Sequence, residues 1–228
     1  MRQLRGQSIV RAVLFDLDGT FVDTAPDMAR ALNAVRRQRS LPALPASTLR
    51  PHVSNGARGM LESGFNLKPA DPDYAALRDA FHEAYARDVC VDSRWFDGIS
   101  ELVDELESRN IAWGIVTNKA ARFTMPLLDA LAITPRSACV VCGDTCARAK
   151  PHPDPLLHAA ALIGIEPLNC LYIGDDERDI LAANAAGMHG VVAMYGYLGT
   201  GNAPQTWPAA AWVESPADIS TLTFRGVI

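Results

Sequence analysis

Blocks of apolar and polar residues alternate along this chain, and they predict alternating strands and helices. Short apolar runs typical of buried strands lie at residues 12–15, 111–116, 138–142, 171–173 and 190–194. Segments with helical spacing lie between the later runs, at residues 99–108, 121–131, 155–163 and 179–186. Asp154 is the predicted N-cap of the helix at 155–163, and Gly164 and Gly187 are predicted to end the last two helices. This order predicts an α/β fold, a doubly wound parallel sheet with helices on both faces.

Residues 25–94 break the alternation. They have no strand-like pattern and are predicted to be helical at residues 26–39, 48–52, 57–65 and 74–89. We therefore predict two units, an α/β core formed by residues 10–24 and 95–228 and a helical insert formed by residues 25–94. Residues 196–208, rich in Gly, Asn and Pro, are predicted to be a loop.

The composition of the 228 residues is that of a soluble globular protein, with 49% hydrophobic and 21% charged residues. The net charge of −5 and the lack of a basic run disfavour a nucleic-acid partner. No apolar stretch approaches the roughly 20 residues that span a bilayer, so we expect no membrane association. Five cysteines, an odd number, favour reduced thiols and a cytoplasmic location.

The candidate chemistry begins where the first apolar run ends, at Asp16 and Asp18. Residues two apart on an extended strand face the same side, so these carboxylates can converge on one ligand. The carboxyl edge of an open parallel sheet is also where such folds bind ligands. Because two close carboxylates repel, the arrangement requires a cation, a shared proton or different roles for the two groups.

Polar residues also end two later runs. Thr117 and Asn118 follow the run at 111–116, a cluster of Asp residues follows the run at 171–173, and Lys150-Pro151 lies in a loop between them. Four motifs in this order resemble the haloacid dehalogenase superfamily of phosphatases, over nearly the whole chain. The resemblance implies a haloacid dehalogenase-like core with an inserted α-helical cap domain at residues 25–94.

Within this resemblance each motif has a predicted role. Asp16 is the candidate nucleophile, because a carboxylate can accept a phosphoryl group. Asp18 is the candidate general acid and base, and the resemblance implies that its backbone carbonyl also binds the metal. Thr117, Asn118 and Lys150 are predicted to hold the phosphoryl oxygens, and Lys150 is a catalytic candidate.

Oxygen ligands at the motifs predict a Mg²⁺ site. The predicted ligands are Asp16, Asp18, Asp175 and Asp176. Asp176 and Asp179 can bind directly or through water, and capping of the following helix is the alternative for Asp179. Zinc held by Cys139, Cys142 and Cys146 with His152 is disfavoured, and buried thiols are expected instead.

Specificity is expected to lie in the cap. The predicted substrate-binding residues there are Ser54, Asn55, Gly56 and Arg58. Arg58 suits a substrate carboxylate, and an exposed arginine at a helix start is the alternative. Lys119 and Arg122 are further cations near the site, although Arg122 is expected on a solvated helix face.

The motif phrases also resemble two groups of enzymes within the superfamily. Asp18-Gly-Thr-Phe-Val-Asp-Thr-Ala-Pro-Asp27, with the later phrases Val116–Lys119 and Gly174–Asp179, is similar to phosphoglycolate phosphatases. The phrase Ser54–Arg58, the region of Arg87-Asp88 and Tyr195-Gly-Tyr197 are similar to N-acetylmuramic acid 6-phosphate phosphatases of cell-wall recycling. Both resemblances imply a small-molecule phosphate ester with a carboxylate as substrate, and we expect a monomer or weak homodimer. A sugar phosphomutase and a non-catalytic phosphate-ligand sensor are the alternatives.

Overall fold

The central feature is a six-stranded parallel sheet. The structure, a computed structural model, describes residues 10–225; residues 226–228, which the sequence assigns to the core, lie outside that range. The strands of this sheet are β1 (Ala12–Phe15), β4 (Ala112–Val116), β5 (Cys139–Val141), β6 (Cys170–Gly174), β7 (His189–Ala193) and β8 (Ala211–Val213). Their order is β5-β4-β1-β6-β7-β8, and every neighbouring pair is parallel. The predicted fold class is confirmed.

Helices cover both faces of this sheet. They are α5 (Ile99–Ser108), α6 (Ala121–Ala130), α7 (Asp154–Ile163), α8 (Glu177–Ala186) and α9 (Pro216–Arg225). Along β1, Val13 and Phe15 belong to the hydrophobic cluster that contains α5, α6 and α9 residues. Ala12 and Leu14 belong to the cluster that contains α7 and α8 residues. Alternate residues of the strand therefore point to opposite faces, and both faces are apolar, as expected for a sheet that is covered on both sides.

A block of helices separates the first strand from the rest of the sheet. It contains α1 (Ala25–Gln38), α2 (Ala46–Leu49), a 3₁₀ helix (Arg50–Asn55), α3 (Gly56–Phe65) and α4 (Tyr74–Arg87). These helices share a hydrophobic cluster of their own, which Phe123 and Tyr197 of the sheet region join. A two-stranded antiparallel pair, β2 (Val22–Asp23) and β3 (Arg94–Trp95), flanks the block where the chain leaves and returns. The helical block is called the cap below, and its separation at residues 25–94 stays a prediction.

The strand order identifies the edge of the sheet at which a ligand is expected. From β1 the chain builds β4 and β5 on one side, and then β6, β7 and β8 on the other. The crevice at the carboxyl ends of β1, β4 and β6 is therefore a topological switch point, where open α/β sheets bind ligands. Asp16, Thr117 and Asp175 are the first residues after these three strands.

Some local elements differ from the sequence-based prediction. Asp154 is the first residue of α7 rather than its N-cap, and its carboxylate accepts hydrogen bonds from Arg148 at 2.8 and 2.9 Å. The short strands β2, β3 and β8 have too few residues to show a periodicity, and α9 is a further element that the pattern did not predict. Gly164 and Gly187 do end their helices, both with positive φ, which glycine adopts without steric cost. Within residues 10–225, no helix has the length and apolar character needed to cross a bilayer.

Candidate active site

Asp16 and Asp18 line a cavity of about 200 Å³ at the carboxyl edge of the sheet. The backbone N–H of Asp16 continues the sheet by donating to the carbonyl of Ile173 at 2.8 Å. The chain then turns at Gly19, whose φ is +92°. A Cβ at this position would overlap the carboxylate of Asp175, so only glycine lets the turn pack against that side chain. The turn thus brings carboxylates from two separate motifs together.

Lys150 is the buried cation of the site. Its Nζ lies 2.9 Å from Asp16 Oδ1 and 2.7 Å from Asp179 Oδ1. It also donates to the carbonyl of Val116 at 3.0 Å and to the hydroxyl of Tyr172 at 2.6 Å. Burial opposes the charged ammonium, but the charges of Asp16 and Asp179 outweigh it and raise the pKa of Lys150. Lys150 therefore remains a cation that faces the predicted nucleophile.

Asn118 fixes the backbone of the lysine loop. Its side-chain amide donates to the carbonyl of Lys150 at 2.9 Å, and its Oδ1 accepts from the Lys150 N–H at 3.0 Å. Thr117 is buried beside it, and its hydroxyl accepts from the N–H of Lys119 at 3.1 Å. Both residues line the cavity, and their phosphate-binding roles stay predictions. What the geometry adds is that the Asn118 side chain holds Lys150 in position.

Three carboxylates converge within reach of one metal ion. Oxygens of Asp16, Asp175 and Asp179 lie within 4.8 Å of one another. Burial, together with the charges of Asp16 and Asp179, raises the pKa of Asp175 well above its usual range. Burial also raises the pKa of Asp179 to about 7, against the opposing effect of Lys150. The crowded carboxylates therefore carry unfavourable charge that a divalent cation would offset.

The donor set fits Mg²⁺, which prefers oxygen ligands. The buried Oδ1 of Asp16 has no hydrogen-bond partner within residues 10–225, because Lys150 meets it at ion-pair distance without hydrogen-bond geometry. Asp175 is oriented by Thr20, which donates to Oδ1 at 2.9 Å, and by the N–H of Tyr197, which donates to Oδ2 at 2.9 Å. The cluster thus combines an Asp16 oxygen that is paired only ionically, with Lys150, and an Asp175 carboxylate that hydrogen bonds hold in place.

Asp176 and Asp179 both take part in starting α8. Asp176 is the N-cap and accepts from the N–H of Arg178 at 2.9 Å, and Asp179 accepts from the N–H of Asp176 at 3.1 Å. The guanidinium of Arg178 also donates to both oxygens of Asp176 at 2.8 Å. Burial alone would raise the pKa of Asp176, but the bonds from Arg178 outweigh it and lower the pKa. The sequence assigned capping to Asp179 alone, whereas the structure divides it between the two residues and brings Asp179 into the carboxylate cluster.

Asp18 is oriented by two side chains. Its Oδ1 accepts a hydrogen bond from the hydroxyl of buried Thr24 and lies 2.8 Å from Lys119 Nζ. The Lys119 ammonium also lies 4.7 Å from the ring centroid of Tyr85 in the cap. Within the described residues, only Oδ1 of Asp18 is engaged, so Oδ2 is available to a ligand. Lys119 belongs to the site, and its position beside Thr117 and Asn118 was the only sequence signal for it.

The cap reaches the site through the loop before α3. Ser54, Asn55 and Gly56 line the cavity, as predicted. Ser54 donates through Oγ to Asp175 at 3.3 Å, and its carbonyl accepts from Arg178 Nη2 at 2.8 Å. Arg58, in contrast, is exposed and is not among the residues that line this cavity. The geometry therefore favours the alternative of an exposed arginine at the helix start, and a role for Arg58 in substrate binding stays a prediction.

The cysteines do not form a metal site in the described part of the chain. The one group of potential metal ligands found there is the carboxylate cluster. Cys139 is buried, and burial raises the pKa of its thiol to about 11. Cys142 is buried as well, as expected from the sequence, whereas Cys146 is only partly buried.

Known proteins are similar to this chain over the region that contains the four motifs. The model of the haloacid dehalogenase-like hydrolase family matches residues 13–193. An N-acetylmuramic acid 6-phosphate phosphatase of Pseudomonas putida is 39% identical over 92% of this chain and 94% of its own length. A phosphoglycolate phosphatase of Xanthomonas campestris pv. campestris is 44% identical over the same shares of the two chains.

A solved structure agrees with these relatives. It is described as a predicted phosphoglycolate phosphatase from Haemophilus somnus 129pt, and it superposes with a TM-score of 0.83 at 25% identity. The superposition covers 96% of this chain and 100% of that one. On this evidence the chain belongs to the haloacid dehalogenase-like hydrolases and is a phosphatase of that family.

Proposed function

We propose that this protein is a Mg²⁺-dependent phosphomonoesterase that hydrolyses a small carboxylate-bearing phosphate ester through an aspartyl-phosphate intermediate. The observation that carries the proposal is one cavity lined by Asp16, Asp18, Thr117 and Lys150, which also includes two members of the carboxylate cluster, Asp16 and Asp179. The substrates for which the relatives are named, phosphoglycolate and N-acetylmuramic acid 6-phosphate, are the candidates.

In the first step the carboxylate of Asp16 attacks phosphorus, and the bond from phosphorus to the ester oxygen breaks. Asp18, held by Thr24 and Lys119, donates a proton to the departing oxygen. Lys150 offsets the negative charge of the phosphoryl oxygens next to Asp16. These contacts support a nucleophile, Asp16, that acts on the phosphorus atom and an acid, Asp18, that acts on the ester oxygen of the bond that breaks.

In the second step water attacks the phosphorus of the aspartyl phosphate. Asp18 takes the proton of the water, inorganic phosphate leaves, and the carboxylate of Asp16 is regenerated. Asp16, Asp175 and Asp179 are the side chains that would hold Mg²⁺, and a backbone contribution from Asp18 is implied by the family resemblance. Bound there, Mg²⁺ offsets the charge between the anionic nucleophile and the anionic ester.

The test is phosphate release from both candidate substrates and from para-nitrophenyl phosphate. Asp16→Asn should lower kcat by more than the roughly 10²–10⁴-fold that is typical of an acid–base residue, because the amide is a poor nucleophile. Asp104→Asn, which changes an exposed carboxylate on α5, is the matched control and should leave turnover unchanged. A chelator should stop turnover, and Mg²⁺ should restore it.

Three results would contradict the proposal. They are activity of Asp16→Asn within tenfold of the wild type, full activity in excess chelator, and an isomeric sugar phosphate as product in place of inorganic phosphate. The last result would favour the phosphomutase alternative. Borohydride reduction of acid-quenched enzyme, followed by mass spectrometry, locates the covalent intermediate, which is expected on Asp16.

A further inference from the structure

A second cavity adjoins the catalytic one at the seam between the cap and the sheet. Its volume is about 230 Å³, and it shares Met28, Gly56, Asn118 and Lys119 with the catalytic cavity. Its other walls come from α3 and α4 of the cap and from the start of α6. The remaining lining residues are Ala57, Phe81, His82, Tyr85, Ala120, Arg122 and Phe123. The shared residues make the second cavity a continuation of the site away from the carboxylate cluster.

The walls of this cavity combine aromatic rings with positive charge. The ring centroids of Tyr85 and Phe123 lie 5.5 Å apart, and those of His82 and Phe123 lie 5.2 Å apart. No carboxylate is among the residues that line it. A pocket of this kind suits a ring-sized group with an apolar face and an anionic substituent.

Arg122 is the cation best placed to bind that anion. The other cations that line the two cavities already face carboxylates: Lys119 pairs with Asp18, Lys150 with Asp16 and Asp179, and Arg178 with Asp176. Arg122, within the described part of the chain, has no carboxylate partner.

The guanidinium of Arg122 is nevertheless oriented by its neighbours. Its Nη2 lies 3.1 Å from His82 Nδ1, and its central carbon lies 4.5 Å from the ring centroid of Phe123. Because a guanidinium has no acceptor, His82 Nδ1 accepts this bond. Burial and the nearby charges of Arg122 and Arg78 lower the pKa of His82, which agrees with an accepting, neutral imidazole. One edge of the guanidinium is thus held, and its other N–H groups remain for a ligand.

We infer that this second cavity binds the leaving group, and that the substrate is a sugar-sized phosphate ester whose carboxylate, remote from the phosphate, is bound by Arg122. This inference rests on the proposed function and deepens it. The leaving group of phosphoglycolate has two carbons, so its carboxylate stays close to the ester oxygen and leaves the second cavity empty. N-acetylmuramic acid 6-phosphate, the substrate for which one relative is named, has a hexose ring between its phosphate and its carboxylate.

The experiment compares kcat/KM for three substrates in the wild type and in Arg122→Met. The substrates are N-acetylmuramic acid 6-phosphate, the same sugar phosphate without the lactyl ether (N-acetylglucosamine 6-phosphate), and phosphoglycolate. Loss of a charge-assisted hydrogen bond is expected to lower kcat/KM for the first substrate by roughly ten- to a hundredfold. That loss should exceed the loss for the carboxylate-free sugar phosphate at least tenfold.

Two further variants separate this role from a general effect of charge. Arg37→Met removes an exposed arginine from α1, outside both cavities, and should leave all three values unchanged. Arg58→Met tests the arginine that the sequence predicted to bind the substrate carboxylate. A selective loss in Arg58→Met with no selective loss in Arg122→Met would overturn the inference.

A binding measurement gives a second readout. N-acetylmuramic acid without phosphate should inhibit hydrolysis of para-nitrophenyl phosphate, and Arg122→Met should weaken that inhibition by at least tenfold. Equal losses for the carboxylate-bearing and carboxylate-free sugars, or a wild type that prefers phosphoglycolate, would refute the inference while leaving the phosphatase proposal standing. A wild type that hydrolyses no phosphate ester, para-nitrophenyl phosphate included, would refute both.

Discussion

Asp27 is the most informative residue for stability, because its buried carboxylate ties the start of the cap to its end. It lies in the first turn of α1 and is fully buried. Its Oδ2 accepts from the N–H groups of Val91 and Ser93, both at 2.9 Å, and from the Ser93 hydroxyl at 2.6 Å. The N–H of Asp92 and the guanidinium of Arg30 bind its Oδ1 at 3.1 and 2.7 Å.

The change Asp27→Asn keeps the shape but replaces one acceptor oxygen with an NH₂ group. At the Oδ2 position the NH₂ would face the donors of Val91 and Ser93, so the less costly orientation turns it toward Arg30. The bond from Arg30 is then lost, and the N–H of Asp92 keeps only its contact with Oδ2 at 3.2 Å. A hydrogen bond to a charged group contributes about 1.5–3 kcal/mol. The remaining bonds weaken because their acceptor is no longer charged. We therefore expect a loss of roughly 2–4 kcal/mol in the free energy of unfolding, or roughly 4–16 °C in Tm for a chain of this size.

Urea denaturation at neutral pH measures this loss. Asp88→Asn is the matched control, because Asp88 also pairs with Arg30, at 3.3 Å, but its side chain is 56% exposed. An exposed pair of this kind contributes up to about 1 kcal/mol. A free energy of unfolding for Asp27→Asn within about 1 kcal/mol of the wild type, or equal to that of Asp88→Asn, would refute the reasoning.

The same carboxylate predicts a pH dependence. Burial favours the neutral form of Asp27, but the hydrogen bonds from Ser93, Arg30 and the main chain outweigh it and lower the pKa. Stability from a lowered pKa is fully present above the pKa of the unfolded chain, about 4, and is lost as the pH falls toward the folded value. The difference between the wild type and Asp27→Asn should be constant from about pH 5 to 7 and should shrink below about pH 4. A difference that grows on acidification would contradict this account.

Three further changes test the site. Asn118→Ala removes both hydrogen bonds that hold the backbone of Lys150. It should lower kcat roughly ten- to a hundredfold in a steady-state assay, because small displacements of a catalytic group are costly. A change below twofold would show that other contacts hold the lysine loop in place. Gly19→Ala should lower stability by roughly 1–3 kcal/mol in a thermal melt and lower kcat/KM, because its Cβ would displace Asp175; wild-type activity would contradict the close packing. Arg178→Ala removes the hydrogen bond from α8 to the carbonyl of Ser54 in the loop before α3. Amide hydrogen exchange at residues 50–58 should therefore become faster. Unchanged exchange would mean that other contacts hold the loop.

Much of the fold could be predicted from the local pattern of the chain. The predicted helix at 99–108 coincides with α5, and the ends of the predicted strands lie within two residues of β4, β5, β6 and β7. These elements are long or strongly apolar, so their burial dominates the pattern. The strands that were not predicted, β2, β3 and β8, have two or three residues each and form only because a neighbouring strand pairs with them.

The sequence by itself determined the chemistry that can occur at the sheet edge. Parallel strands carry their carboxyl ends to one edge, so the residues that follow β1, β4 and β6 had to meet there. This rule depends only on the order of strands and helices, which the hydrophobic pattern encodes. It places Asp16, Asp18 and Asp175 at one edge, whereas Lys150, which lies in a loop, was assigned to the site by the family resemblance.

Only the tertiary structure decided which partner each of these residues has. Asp176 pairs with Arg178 rather than joining the carboxylate cluster, and Arg58 is exposed and does not line the cavity, whereas Arg122 lines the adjoining one. These outcomes depend on how the helices of the cap pack against α6 and α8. The partner of a charged side chain on a helix depends on that packing and not on its neighbours in sequence. Burial of a charge costs desolvation free energy, so the side chain is stable only where an opposite charge or water offsets that cost.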